Sequence, residues 1–279
     1  MTMPSSEQAN HPCEFVPKYD LSEIEINSLS TKLFSEQPPV TKDRFVCYAL
    51  AGNDEFSNLG RSVELGVFSD TFGNDTELME REYGPYEYAS EFFVVMDQRK
   101  ALPIGALRVI KNSESGLKTL NDIQSPPLEI DLEDFKQYHN VDNLDKVWDV
   151  GTVAVLQEYR MSAMKSQMMS IMLYRAMYVK AVKDNIDHFV AIIDTHAHKG
   201  LDMLGVPFVP INGSEPFSYL DSLKSTALYG YVPDFYKTMD ERLKRIQDKH
   251  PIKSIPLSIA LGGLMLGKHI DNKLQFLYK

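Results

Sequence analysis

The run Asp194-Thr195-His196-Ala197-His198 carries two imidazoles two residues apart, directly after an apolar stretch. Read as strand, this spacing puts both rings on one face, as a zinc site requires; no third or fourth ligand stands at a fitting distance, so no metal is expected. Cys13 and Cys47 are the only cysteines, and neither has a histidine arrangement of the kind that activates a thiol nucleophile. Two cysteines also exclude a disulfide scaffold and fit a reducing compartment. The chain holds no G-x-G-x-x-G and no G-x-x-x-x-G-K-[ST], which removes the dinucleotide and P-loop readings. What remains is a strand–turn–helix at 153–167, where a helix N-terminus follows directly on a strand.

The elements around it follow from periodicity. Phe45 to Ala51 reads as a strand bounded by Gly52-Asn53, and Glu55 to Gly73 as a helix with Phe56, Leu59, Val63 and Val67 at helical spacing. Thr76 to Glu82 is a second helix. Glu91 to Met96 and Ile104 to Ile110 form an antiparallel hairpin. Lys111 to Lys146 is predicted as loop plus a short helix. Val147 to Leu156 is a strand, Ser162 to Asp184 a helix apolar on most sides, and His188 to Asp194 a strand with both faces covered. Gly200 to Gly205 is a short helix, Phe208–Ile211 and Ala227–Val232 are strands, and Asp234 to Asp248 is a charged helix. This order predicts an α/β fold, a mixed sheet around a central right-handed βαβ unit. Residues 1–42 are read as an N-terminal arm, with Asp20 or Ser22 capping a short helix, 43–249 as the domain, and 250–279 as an apolar extension.

Composition narrows the function classes. Hydrophobic residues at 43% and charged residues at 24% exclude a disordered or collagen-like chain. The net charge of −10 argues against nucleic acid as the main partner. The longest apolar run, Ile255 to Leu266, has 12 residues against the roughly 20 needed to span a bilayer. It could cover the core, form a homodimer contact or touch a membrane surface. With no apolar core in the first dozen residues, a soluble cytoplasmic protein is expected.

The strand–turn–helix resembles the GNAT acyltransferase superfamily, whose signature has the form V-x-x-x-x-R-x-x-G-x-G/A. Here the stretch reads Val155-Leu-Gln-Glu-Tyr-Arg160-Met161-Ser162-Ala163-Met164-Lys165-Ser166. Arg160 matches, Ala163 stands for the first glycine and Lys165 for the second small residue. The resemblance implies that the N–H groups of this turn bind a pyrophosphate or pantetheine arm, as helix N-termini bind anions. A narrower likeness is to acyl-homoserine-lactone synthases and long-chain N-acyl amino acid synthases, GNAT-fold enzymes that often draw on acyl carrier protein. It covers roughly residues 44–235. The W-E-x-S-R pattern of the lactone synthases corresponds to Trp148-Asp149-Val150-Gly151-Thr152, and their R…VF helix and G-x-x-R strand correspond to Arg61…Val67-Phe68 and Gly105-Ala106-Leu107-Arg108. Asp149 replaces Glu, and Gly151-Thr152 replace Ser-Arg, so the resemblance implies acyl transfer to an amine and not lactone formation.

The activity so implied is N-acyl transfer from acyl carrier protein or acyl-CoA to a small amine, with an amino acid as one such acceptor. The acyl-phosphopantetheine thioester is then a co-substrate and no cofactor is bound permanently. Deprotonating the amine requires a base: Asp149 first, with Glu82 and Glu87 behind it, and His196 as a further group for proton transfer. Strand N–H groups at Val153 to Val155 would bind the thioester oxygen. Arg108, Trp148, Thr152, Met168 and Met172 would face substrate, the methionines of the long helix lining an acyl pocket or simply filling the core. The tyrosine acid of many relatives is replaced by Leu201. Two other readings stay open: an acetyl-CoA-dependent N-acetyltransferase, and a non-catalytic sensor that binds an acyl group or lipid.

Overall fold

A computed structural model describes residues 15–160, 163–204, 206–249 and 274–276. Among these, nine strands form one mixed sheet. They are β1 (Phe45–Ala51), β2 (Ser90–Asp97), β3 (Leu102–Lys111), β4 (Val147–Val155), β5 (His188–Asp194), β6 (Val209–Pro210), β7 (Phe217–Tyr219), β8 (Ser222–Tyr231) and β9 (Leu274–Phe276). The sheet order is β6-β8-β5-β4-β3-β2-β1-β9, with β7 also paired to β8. The expected hairpin is present, with Phe93 opposite Leu107 in the β2–β3 ladder. All eight positions of β2 are buried. Its near-continuous apolar run has the composition of a strand covered on both faces.

Helices cover both faces. On one lies α7 (Ala163–Lys183), running between β4 and β5, which pair parallel. Met169, Met172, Leu173 and Ala176 are buried against Phe93, Leu107, Trp148 and Phe189, which accounts for a helix apolar almost all round. On the other face lie α1 (Glu23–Glu36), α2 (Ser57–Phe72), α3 (Thr76–Tyr83) and the two short helices α4 (Lys118–Asp122) and α5 (Leu132–His139). The stretch 111–146 thus holds two helices where one was predicted. Phe135 of α5 and Leu120 of α4 cover Val147 and Val190.

Three further expectations are corrected. Residues 15–42 are no detached arm: Tyr19 and Leu33 are fully buried, and Ser22 closes a capping box with Glu25 at the start of α1. The helix expected at Gly200 begins at Thr195 as α8 (Thr195–Leu204), because Asp194 accepts the backbone N–H groups of His196 and Ala197 at 2.8 and 3.1 Å and so caps it. The last strands are redistributed, β6 keeping two residues while β8 extends back to Ser222. The charged helix is present as α9 (Val232–Lys249). Of the C-terminal extension, Leu274–Phe276 pair parallel with β1; Ile255 to Leu266 lies outside the described residues. No helix among the described residues is long and apolar enough to cross a membrane.

Candidate active site

The site begins where two strands part. β4 and β5 pair from Val147↔His188 to Asp149↔Val190, and both then continue unpaired with each other. On its other side β4 carries a bulge, since Val109 pairs with Val150 and Arg108 with Thr152, leaving Gly151 without an opposite residue. A bulge bends its strand and increases local twist, which carries β4 away from β5. A cavity of about 170 Å³ opens in the gap, lined by Val150 to Val153 on one strand and Ile192 to Asp194 on the other. Its walls come from both faces of the sheet: Tyr174, Met177 and Tyr178 from α7, and Met79, Glu82 and Tyr83 from α3. Phe68 and Phe72 of α2 and Phe235 of α9 complete an apolar lining.

One end is polar. Lys118 Nζ donates to Glu82 at 2.8 Å and to Asp122 at 2.9 Å, and the Tyr219 hydroxyl donates to Asp122 at 2.5 Å. The Tyr83 hydroxyl donates to the Gly151 carbonyl at 3.4 Å. Burial pushes the Glu82 carboxyl up, but the bond and charge of Lys118, with help from Arg81, hold it below its ordinary value. Glu82 is therefore an ionised carboxylate at the cavity edge, 22% exposed. Burial raises the Tyr174 phenol to about 12, so it stays a hydrogen-bond donor at neutral pH.

The residues expected to do chemistry divide sharply. Glu82, Thr152 and Val153 line the cavity. Asp149 does not: it lies on the α4 face, fully buried, receiving the backbone N–H and, at 2.9 Å, the hydroxyl of Thr119. Burial raises its carboxyl to about 7, and the Thr119 bonds offset part of that rise. Arg108 is enclosed too, donating to Glu64 at 2.6 and 3.1 Å, to Glu87 at 3.3 Å and to the Tyr19 hydroxyl at 2.7 Å. Arg61 holds Glu87 from the other side at 2.5 Å. Arg108 and Glu87 are thus parts of a closed ion network under the sheet and do not line the cavity. The Thr152 hydroxyl donates to Glu64 and joins this network to the cavity wall.

Trp148 and Met172 are core residues, the tryptophan tilted against Phe93 and stacked on Phe189. Val155 is likewise buried and away from the cavity. Arg160 is exposed on the one-turn helix α6 (Gln157–Arg160). Met161 and Ser162 lie outside the described residues, as do the side chains of Ala163, Met164, Lys165, Ser166 and Met168. His196 and His198 ride on α8 and neither lines the cavity, so the strand spacing that would have paired them is absent. Leu201 does line it. Tyr83, Tyr174, Tyr219, Asn74 and Lys118 were not anticipated. They come from five separate segments, and no spacing in the sequence connects them.

No family profile and no curated protein matches the chain. Among solved structures it is similar to FeeM, an N-acyl amino acid synthase from uncultured soil microbes, at 16% identity and a TM-score of 0.51, over 70% of this chain and 94% of that one. It is also similar to the acyl-homoserine lactone synthase BjaI at 14% identity and a TM-score of 0.45, over 72% and 89% of the two chains. A putative N-acetyltransferase from Lactobacillus plantarum aligns at 14% identity and a TM-score of 0.44, over 68% and 99%. The mixed sheet, the β4–α7–β5 unit with its splayed strands and the likeness to FeeM together give this chain a GNAT-like fold.

Proposed function

We propose that this protein is an N-acyltransferase that moves an acyl group from a phosphopantetheine thioester, on acyl carrier protein or coenzyme A, to a small amine. The observation that carries the reading is the cavity between β4 and β5, mostly apolar, walled from both faces of the sheet and edged at its polar end by the Glu82 carboxylate. A cavity between splayed strands lets donor and acceptor meet from opposite sides. Glu82 takes the proton of the incoming ammonium, and the freed nitrogen attacks the thioester carbonyl. β4 backbone groups near Thr152 and Val153, next to the bulge, stabilise the oxyanion. The C–S bond then breaks, and the proton that the attacking nitrogen still carries passes to the departing sulfur, which leaves as a thiol hydrogen-bonded by Tyr174. The turn from Arg160 to Ser166 receives the arm of the donor, and Lys165 in place of a small residue favours a carrier-protein donor, which brings no coenzyme A pyrophosphate.

One observation favours a second reading, a non-catalytic acyl or lipid sensor: Asp149, the base first expected, is closed off behind Thr119. Incubation with acyl carrier protein thioesters, acyl-CoAs of graded length and a mixture of small amines, followed by mass spectrometry, separates the readings. New amide with release of thiol supports acyl transfer. Product from acetyl-CoA alone makes the protein a conventional acetyltransferase. Thermal stabilisation by acyl donors without amide from any of them makes it a sensor.

A further inference from the structure

An amine acceptor can carry its own carboxylate, as amino acids do, or lack one, and the cavity lining separates the two classes. The charged side chains lining it among the described residues are Glu82 and Asp194, both anions. Cations that stand behind the lining are already paired or point to solvent: Arg108, 4.4 Å from the Tyr83 ring, is fully buried and answers Glu64 and Glu87. Lys118 is 5% exposed and held between Glu82 and Asp122, and Arg81, 3.4 Å from Glu82, has a side chain 65% exposed. Asp194 is partly balanced by the N–H groups of His196 and Ala197. A second feature concerns the N–H groups of the acceptor. Asn74 lines the cavity, is 5% exposed, and its Oδ1 is buried with no hydrogen-bond partner. A buried carbonyl oxygen left unpaired calls for a donor, and an amine or amide N–H supplies one.

A carboxylate on the acceptor would bring a third anion into a largely apolar enclosure with no cation among its described lining residues to meet it. Burying a charge unpaired is costly, whereas an ammonium meets Glu82. Resting on the acyl-transfer reading, we propose that the acceptor is a cationic amine without a free carboxylate, such as an alkylamine or an amino acid amide. Glu82 reads its ammonium, and Asn74 accepts a further N–H. At an effective dielectric of about 20, a unit charge several ångströms away changes affinity tenfold or more.

The test compares leucinamide with leucine as acceptors for the full-length protein, using whichever acyl donor it turns over and measuring initial rates of amide formation. The expected result is a kcat/KM for leucinamide at least about tenfold above that for leucine, compared at the concentration of free amine. Binding without donor should show the same order in thermal shift. Glu82→Gln should shrink the ratio of the two KM values toward one, a change that general destabilisation would not produce. Equal or better use of leucine overturns the acceptor assignment and leaves acyl transfer standing. No amide from either amine, nor from any donor in the wider screen, overturns both.

Discussion

Thr119 places its backbone N–H on one oxygen of Asp149 and its hydroxyl on the other, so the carboxylate is spanned by a single residue of α4. The relationship decides what Asp149 is for. Both oxygens face α4, on the sheet face opposite α7, and Asp149 does not line the cavity, so the residue fastens α4 to β4.

It follows that Asp149→Asn should retain turnover, because an amide can still accept the Thr119 N–H and donate to its hydroxyl. The pH dependence has a definite sign. The folded pKa of about 7 lies above the ordinary value of 3.8, so the native state holds the proton more tightly than the unfolded chain. This contribution to stability is complete below about pH 4 and is lost as pH rises through 7. Urea melts should therefore show Asp149→Asn gaining on the native protein between pH 5 and pH 8. Turnover reduced by two orders of magnitude in a folded Asp149→Asn protein would instead return the base role to Asp149.

Glu82→Gln removes the carboxylate at the cavity edge while keeping a partner for Lys118. Loss of a general base costs typically 10²- to 10⁴-fold in rate, so kcat/KM for amide formation should fall by about that range. Circular dichroism and melting temperature should change little, since the side chain is partly exposed. An unchanged rate would remove Glu82 from the mechanism.

Arg108→Met tests the buried network. Its guanidinium answers Glu64 and Glu87, and both pair atoms of Arg108 and Glu64 are fully enclosed. Removing one partner of a buried ion pair leaves an uncompensated charge and costs about 3–5 kcal/mol. Chemical denaturation should show that loss. Lys32→Ala provides the contrast: Lys32 and Glu55 are about half exposed, solvent screens the pair, and its loss should leave the denaturation midpoint almost unmoved.

His139 stacks on Tyr229 with ring centroids 4.1 Å apart, and its Nε2 accepts the Asn212 N–H at 3.2 Å. Burial, reinforced by His188, lowers its pKa from 6.5 to about 4. The folded value lies below the unfolded one, so this group's stabilisation is complete above about pH 6.5 and is lost as pH falls toward 4. His139→Phe should flatten the fall in urea midpoint across that window. It should also cost about 1 kcal/mol at pH 7, from the Asn212 N–H left without its acceptor.

Much of the fold could be read from local pattern. β1, the β2–β3 hairpin, β4, α7 and β5 lie within a residue or two of their expected bounds, because each is a run whose apolar period is set by its own residues. The start of α8 was misplaced because Asp194 acts both as the last residue of a strand and as a helix cap, and only the fold shows which use applies at His196. Tyr19 looked like part of an arm because its partners, Glu87 and Arg108, lie 68 and 89 residues away.

The amino-acid sequence by itself determined the alternation of strands and helices, the central strand–helix–strand unit and hence the mixed α/β class, since hydrophobic periodicity is a property of neighbours along the chain. Tertiary structure alone decided which charged groups reach the cavity. Asp149 and Glu82 are the same functional group in sequence. One is sealed by Thr119 behind the sheet and the other stands at the mouth of the gap between β4 and β5, and that difference arises from strand bending and packing among segments far apart in the chain.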